Sequence, residues 1–203
     1  MAFPTKALSL ALLVIASTTA EDVIITNRCN QNVYVKNEGV NSGPLNLPPN
    51  ESRTVTVNRD GQPRPRIWGH VGCDGNGNNC DTTEDYVSLA EFNIDPSGWL
   101  WYDVSQVDGY NLPISMEGIN PAAGGNCRIA NCNFNIGANC PEANKVLKDG
   151  RAVACKNLDR NNPSGYSNAI KASCPGVYSY AFDSVDVMRD CLPGVNGLKV
   201  TFC

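Results

Sequence analysis

The chain is poor in several residues that specify common functions. Its 203 residues include a single histidine, His70, and no Cys-x-x-Cys pair. Both gaps argue against a zinc centre, and no metal or other cofactor is expected. Basic charge is in deficit, with 16 Lys and Arg against 20 Asp and Glu, a formal charge of −4. That balance argues against charge-driven binding to nucleic acid or an anionic membrane. Internal repeats and low-complexity tracts are missing. The longest apolar run, Ala7 to Ala16, is shorter than the roughly 17–20 residues a transmembrane helix needs.

What that run does fit is a secretory leader. Lys6 supplies a basic start, residues 7–16 the apolar centre, and Ser17-Thr18-Thr19-Ala20 a small-residue cleavage site. Residues 1–20 are therefore read as a signal peptide and the product as secreted and extracellular. Removing Lys6 with the leader takes the formal charge from −4 to −5. Residues 21–203 suffice for one domain with a sizeable core. All ten cysteines lie in that segment, and an even count in an exported chain implies disulfides. Spacing alone leaves their pairing open. A Cys29–Cys203 bond would close nearly the whole chain in one loop, worth roughly 4–5 kcal/mol by loop entropy.

Short alternating runs dominate the first half. Val23-Ile24-Ile25, Asn32 to Lys36, Arg53 to Val57 and Arg66 to Gly69 read as strands, separated by Asn, Gly and Pro turn signals. Such spacing points to a β-sandwich rather than βαβ units. Asp74 to Asn79 is a loop by composition. In Leu89 to Ile94, Phe92 and Ile94 share one face while Glu91 and Asn93 share the other. Between Cys127 and Cys174 cysteines are dense, which suggests a stapled lobe of loops and short helices. Tyr166 to Ala172 is its best helix, with Ser164 as cap and Pro175 beyond the end. Val177 to Phe182 and Leu198 to Phe202 return to strand.

The stretch WYDVSQVDGYNLP, residues 101–113, sets Asp103 and Asp108 among strand-favouring residues. Their odd spacing would put them on opposite faces of an unbroken strand. They share a site only if the strand ends between them, and Asp108-Gly109 is a turn dipeptide. Trp101 has the parity of Asp103. His70 is read as an ordinary partly buried or surface histidine. Asn50-Glu51-Ser52 is a glycosylation sequon at Asn50.

An ordered set of segments resembles the thaumatin-like proteins, the pathogenesis-related family 5 of plants. The set comprises Asn27-Arg28-Cys29, Arg66-Ile67-Trp68-Gly69, Leu89-Ala90-Glu91-Phe92, Tyr102-Asp103-Val104-Ser105 with Val107-Asp108-Gly109-Tyr110-Asn111, Val153-Ala154-Cys155-Lys156, Tyr166-Ser167, Cys174-Pro175, Tyr178-Ser179-Tyr180-Ala181 and Val200-Thr201-Phe202-Cys203. The resemblance implies a mainly β fold. A flattened antiparallel β-sandwich core would occupy about 21–70, 87–132 and 175–203, with a looped insert at about 71–86 and a cysteine-rich loop and helix lobe at about 133–174. It also implies the pairs Cys29–Cys203, Cys73–Cys80, Cys127–Cys191, Cys132–Cys174 and Cys140–Cys155. The usual member has sixteen cysteines, so this chain lacks three whole bridges, and the stretch after Cys155 is shortened.

The resemblance further implies a cleft formed by Arg66, Glu91, Asp103, Asp108 and Asp183. Family members bind β-1,3-glucans, and some hydrolyse them weakly. The leading expectation is a monomeric, secreted, antifungal defence protein that binds β-glucan or another cell-wall polysaccharide, with Trp101 stacking on sugar rings. One alternative is a weak endo-β-1,3-glucanase with Glu91 as acid and Asp103 as base or nucleophile. Another is an inhibitor of microbial glycoside hydrolases, acting through the loops at 73–86 and 156–165.

Overall fold

A computed structural model of the chain describes residues 20–59 and 64–203. The signal peptide read from the sequence lies, apart from Ala20, outside the described residues. Strands numbered along the chain form three sheets. The first contains β1 (Ala20–Asn27), β4 (Ser52–Asn58), β9 (Ile114–Gly118), β10 (Ala130–Cys132) and β14 (Leu198–Phe202), in the order β10-β9-β14-β1-β4. The second contains β2 (Val33–Glu38), β3 (Leu45–Leu47), β5 (Arg66–His70), β6 (Leu89–Ile94), β7 (Leu100–Ser105) and β13 (Arg189–Cys191), in the order β13-β7-β6-β5-β2-β3. The third is small: β8 (Gly109–Tyr110), β11 (Lys145–Lys148) and β12 (Arg151–Lys156), in the order β11-β12-β8. Pairing is antiparallel throughout these sheets except between β1 and β14, where Val23 lies opposite Leu198 in parallel.

The first two sheets share one core. Val23, Ile25, Met116, Val200 and Phe202 from one side meet Ile67, Phe92, Leu100, Tyr102 and Val104 from the other in a single buried cluster. Fully burying a large apolar side chain contributes about 1.5–3 kcal/mol, so this cluster is the main source of stability. The alternation read in Leu89–Ile94 appears in full: Phe92 and Ile94 are buried, while Glu91 and Asn93 point away from the core.

The segment 133–174 is more regular than its composition suggests. It carries α1 (Ile136–Asn139) and α2 (Gly165–Ser173), and also the hairpin β11–β12. Asp149 and Gly150 both have positive φ between the paired residues Lys148 and Arg151. That is the two-residue hairpin turn that favours Asp-Gly. At the start of α2 the Ser164 hydroxyl accepts the Ser167 N–H, and the Ser167 hydroxyl accepts the Ser164 N–H. This reciprocal cap replaces hydrogen bonds that a helix start otherwise lacks.

One expected strand is not formed. Val177 to Phe182 makes a single parallel bridge, Tyr178 to Ser105. A turn at Pro175-Gly176 precedes it, and Asp183 takes the N–H of Ser179 just after, so little backbone remains to pair.

The insert at 71–86 docks through Glu84, which accepts from Lys36 and from the Trp68 indole N–H. Its Oε2 also lies 3.4 Å from His70 Nε2. His70 is 1% exposed, more deeply buried than the sequence reading expected. Burial lowers its pKa despite Glu84 nearby. The ten cysteines pair as Cys29–Cys203, Cys73–Cys80, Cys127–Cys191, Cys132–Cys174 and Cys140–Cys155. The sequon Asn50-Glu51-Ser52 occupies a turn between β3 and β4, with Asn50 exposed.

Candidate functional site

A cleft of about 650 Å³ opens on the face of the second sheet that points away from the core. Strand parity builds its floor. In the antiparallel pair β6–β7, Leu89 lies opposite Ser105, Glu91 opposite Asp103, and Asn93 opposite Trp101. All six line the cleft. On β5, Arg66 lies opposite Glu91 and extends the same row.

β7 ends at Ser105 and the chain bends at Val107–Asp108 before β8. The break lets Asp108 line the same cleft as Asp103 despite the odd spacing. Gly109 is extended and belongs to β8; a Cβ there would sit 3.0 Å from both Cys155 O and Tyr86 Cα. Behind the bend, Tyr166 of α2 donates to Gln106 O at 2.7 Å, which ties the helix to the backbone carrying Asp108.

The acids differ in their surroundings. Asp103 is 6% exposed, and its Oδ1 has no hydrogen-bond partner among the described residues. Burial first, then the neighbouring Glu91, push its pKa up to about 8, with Arg189 opposing. Asp103 is therefore a neutral acid at pH 7, able to donate as well as accept. Glu91 is also raised, chiefly by burial and to a lesser degree by Asp108, while the Ser105 hydroxyl, Arg66 and Arg160 work against the rise. Asp108 forms an ion pair with Arg160 at 2.5 Å. Arg66 turns its guanidinium to Glu38, with Nε 2.7 Å from Oε2, and lies over the Trp68 ring at 5.8 Å.

Asp183 is the exception in the expected set, because it does not line the cleft. Its carboxylate pairs with Lys171 of α2 at 2.8 Å and accepts from Ser179 N–H, Ser179 Oγ and Ser184 N–H. Burial alone would raise its pKa, but Lys171 and these hydrogen bonds outweigh it and lower the value. Asp183 thus braces the segment that delivers Tyr178 and Ala181 to the cleft.

Trp101 is 39% exposed and lies against Trp99, ring centroids 5.8 Å apart and planes 18° from parallel. Tyr178 adds a second aromatic. Arg64, Ser105, Tyr178 and Arg160 also line the cleft, and sequence reasoning missed all four as site residues. Ser105 was recoverable, since it has the parity of Asp103. Arg160 was not: it sits in a loop placed by tertiary hydrogen bonds, among them Ala181 N–H to Arg160 O, Asn157 N–H to Asp108 O and the Asn157 amide to Val107 O. Chemically, the cleft combines aromatic walls, one neutral carboxyl, carboxylates and guanidinium groups. Three guanidinium groups stand among its three carboxyl groups, so the cleft is not simply acidic.

The chain matches the family model described as "Thaumatin family" over residues 27–203. It is 32% identical over 223 residues to pathogenesis-related protein 5 of Arabidopsis thaliana, spanning 91% of this chain and 90% of the relative. It is 37% identical over 156 residues to a protein of Prunus avium named glucan endo-1,3-beta-glucosidase, spanning 66% of this chain and 60% of the relative. A solved structure of the thaumatin-like xylanase inhibitor TLXI superposes with a TM-score of 0.50 at 17% identity, spanning 89% of this chain and 98% of that one. That likeness concerns the fold alone. The extent of the family match, together with a relative aligned along nearly its full length, places this chain in the thaumatin family.

Proposed function

We propose that this chain is a secreted, defence-type protein whose cleft binds β-1,3-glucan or a related cell-wall polysaccharide. One observation carries the reading: the Asp103 carboxyl sits at the cleft floor, buried, with an unpartnered oxygen, directly opposite Glu91. A buried polar atom without a partner costs about 1–3 kcal/mol, and a ligand hydroxyl at that point would recover it. Glu91 accepts a second hydroxyl, and Trp101, backed by Trp99, offers a ring face to a sugar. Asp108 and Arg66 hold the rim through their ion pairs, and Asp183 acts from behind the wall. The test is retention on insoluble β-1,3-glucan. The wild-type protein is expected to sediment with the polymer, and Trp101→Ala to lose at least about tenfold in affinity. No retention of the wild type overturns the reading.

Weak hydrolysis of the same glycan is a second reading, favoured by the facing carboxyls. Directly opposed residues in an antiparallel pair have Cβ atoms about 4.5–5.5 Å apart. Side chains rooted that close on one face can bring their carboxyl groups to the roughly 5–5.5 Å separation of a double-displacement mechanism. The roles read from the sequence then exchange: Asp103, held protonated by burial, is the acid, and Glu91 is the nucleophile. Glu91→Gln is expected to reduce release of reducing ends from laminarin by at least about a hundredfold while leaving the polymer bound. Unchanged turnover in that variant excludes the mechanism.

A further inference from the structure

Three guanidinium groups line the cleft, from Arg64, Arg66 and Arg160. Arg66 is occupied at the rim by Glu38. Arg160 is the one brought by the cysteine-rich lobe, and its side chain is 63% exposed. Asp108 engages its Nη2 at 2.5 Å, so the head is held in place while most of its five N–H donors have no partner among the described residues. Across the floor, Asp103 carries a proton at neutral pH and adds no negative charge. Glu91 and Asp108 are the two remaining carboxylates in the lining, against three guanidinium groups. The walls meanwhile offer aromatic faces in Trp101 and Tyr178, and acceptors in Glu91 and Ser105.

A ligand that satisfies all of these groups has ring faces, hydroxyls and a carboxylate. We propose that the cleft prefers glycans bearing carboxylates, that is, chains of uronic acids, and that Arg160 is the residue that selects them. The inference rests on the reading of the cleft as a glycan site and narrows the class of glycan. A planar guanidinium matches a carboxylate in two parallel hydrogen bonds, which a neutral sugar cannot reciprocate. The chain's overall formal charge of −4 opposes long polyanions at a distance. The preference is therefore local to the cleft and strongest for short oligomers.

The experiment is calorimetric titration with a galacturonic acid oligomer, the same oligomer with its carboxyls reduced to alcohols, and a laminarin oligomer of equal length. The charged oligomer is expected to bind at least about tenfold tighter than its reduced form. Arg160→Gln should bring that ratio close to one, and Arg160→Lys should leave an intermediate ratio. Near-UV circular dichroism serves as the check that both variants are folded. Equal binding of charged and reduced oligomers by the wild type overturns the inference, as does an unchanged ratio in Arg160→Gln. Binding of the laminarin oligomer alone overturns it while the glycan reading stands; binding of none of the three overturns both.

Discussion

Replacing Asp103 by asparagine will abolish most of the loss of stability that the wild-type protein undergoes as pH rises from about 4 to about 8. In the unfolded chain this carboxyl releases its proton near pH 3.9. In the folded protein it holds the proton to about 8, because burial and the facing Glu91 disfavour the charge. Over that window the native state binds one proton more than the unfolded state. Stability therefore falls as pH rises, by about 1.4 kcal/mol per unit, and the contribution is fully present only below the unfolded pKa. Across the window the loss is on the order of 5 kcal/mol. At about 2–4 °C per kcal/mol for a chain of this size, the change in Tm exceeds about 10 °C.

Asparagine has the shape of the neutral acid and no charge to desolvate. The two proteins should therefore have similar Tm values near pH 4.5 and diverge steadily above it, the variant being the more stable. Other carboxylates act in the opposite sense: Asp74, Asp95, Asp159 and Asp183 are lowered by hydrogen bonds or by Lys171, so they stabilise above the usual range and weaken as it is acidified. Glu91 acts in the same sense as Asp103. The difference between the two Tm curves removes these shared terms. Curves that run parallel from pH 4.5 to 8.5 would show that Asp103 is ionised in the folded protein. The neutral-donor role at the cleft floor would fall with it.

The reach of the sequence can be judged residue by residue. Leu89–Ile94 was legible because one face of β6 is core and the other lines a cleft, and such a strand must alternate. The joint placement of Asp103 and Asp108 followed from parity plus a predicted break, and the bend falls at Val107–Asp108. Val177–Phe182 has the composition of a strand but pairs only at Tyr178, because the Ser179 N–H is claimed by the Asp183 carboxylate and the Ala181 N–H by Arg160 O. Propensity carries no information about such competitors. The β11–β12 hairpin did have a signal: Asp149-Gly150 stands between two strand-capable runs. Dense cysteines drew the reading towards loops instead. Asp183 looks like its fellow acids in one dimension. Only the folded chain shows Lys171 reaching it from α2 and turning it into a brace. Arg160 is the opposite case, an unremarked loop residue that the fold delivers to the ligand side.

Removing the Cys29–Cys203 bond is the second change with a large expected effect. The bond joins Cys29, two residues beyond β1, to the last residue, just beyond β14, the parallel neighbour of β1, across a sequence separation of 174. Its loop in the unfolded chain is shorter than that number suggests. Cys127–Cys191, with a separation of 64, and Cys73–Cys80, with a separation of 7, cut across it. The effective loop is therefore roughly 100 residues, for which chain entropy gives about 4.7 kcal/mol. The bond between Cys73 and Cys80 closes a far smaller loop, worth roughly 2–2.5 kcal/mol by the same relation. Paired Cys→Ser substitutions at 29 and 203 should thus lower Tm by about 10–20 °C, and the pair at 73 and 80 by about half as much. Each double variant keeps the other four bonds, so the comparison varies loop length within one fold. Equal losses for the two, or a larger loss at 73 and 80, would mean that native packing rather than unfolded-chain entropy sets the worth of these bonds. In that case the β1–β14 parallel pairing, in which Arg28 N–H already donates to Phe202 O at 2.8 Å, would be holding the two chain segments together without the sulfur bridge.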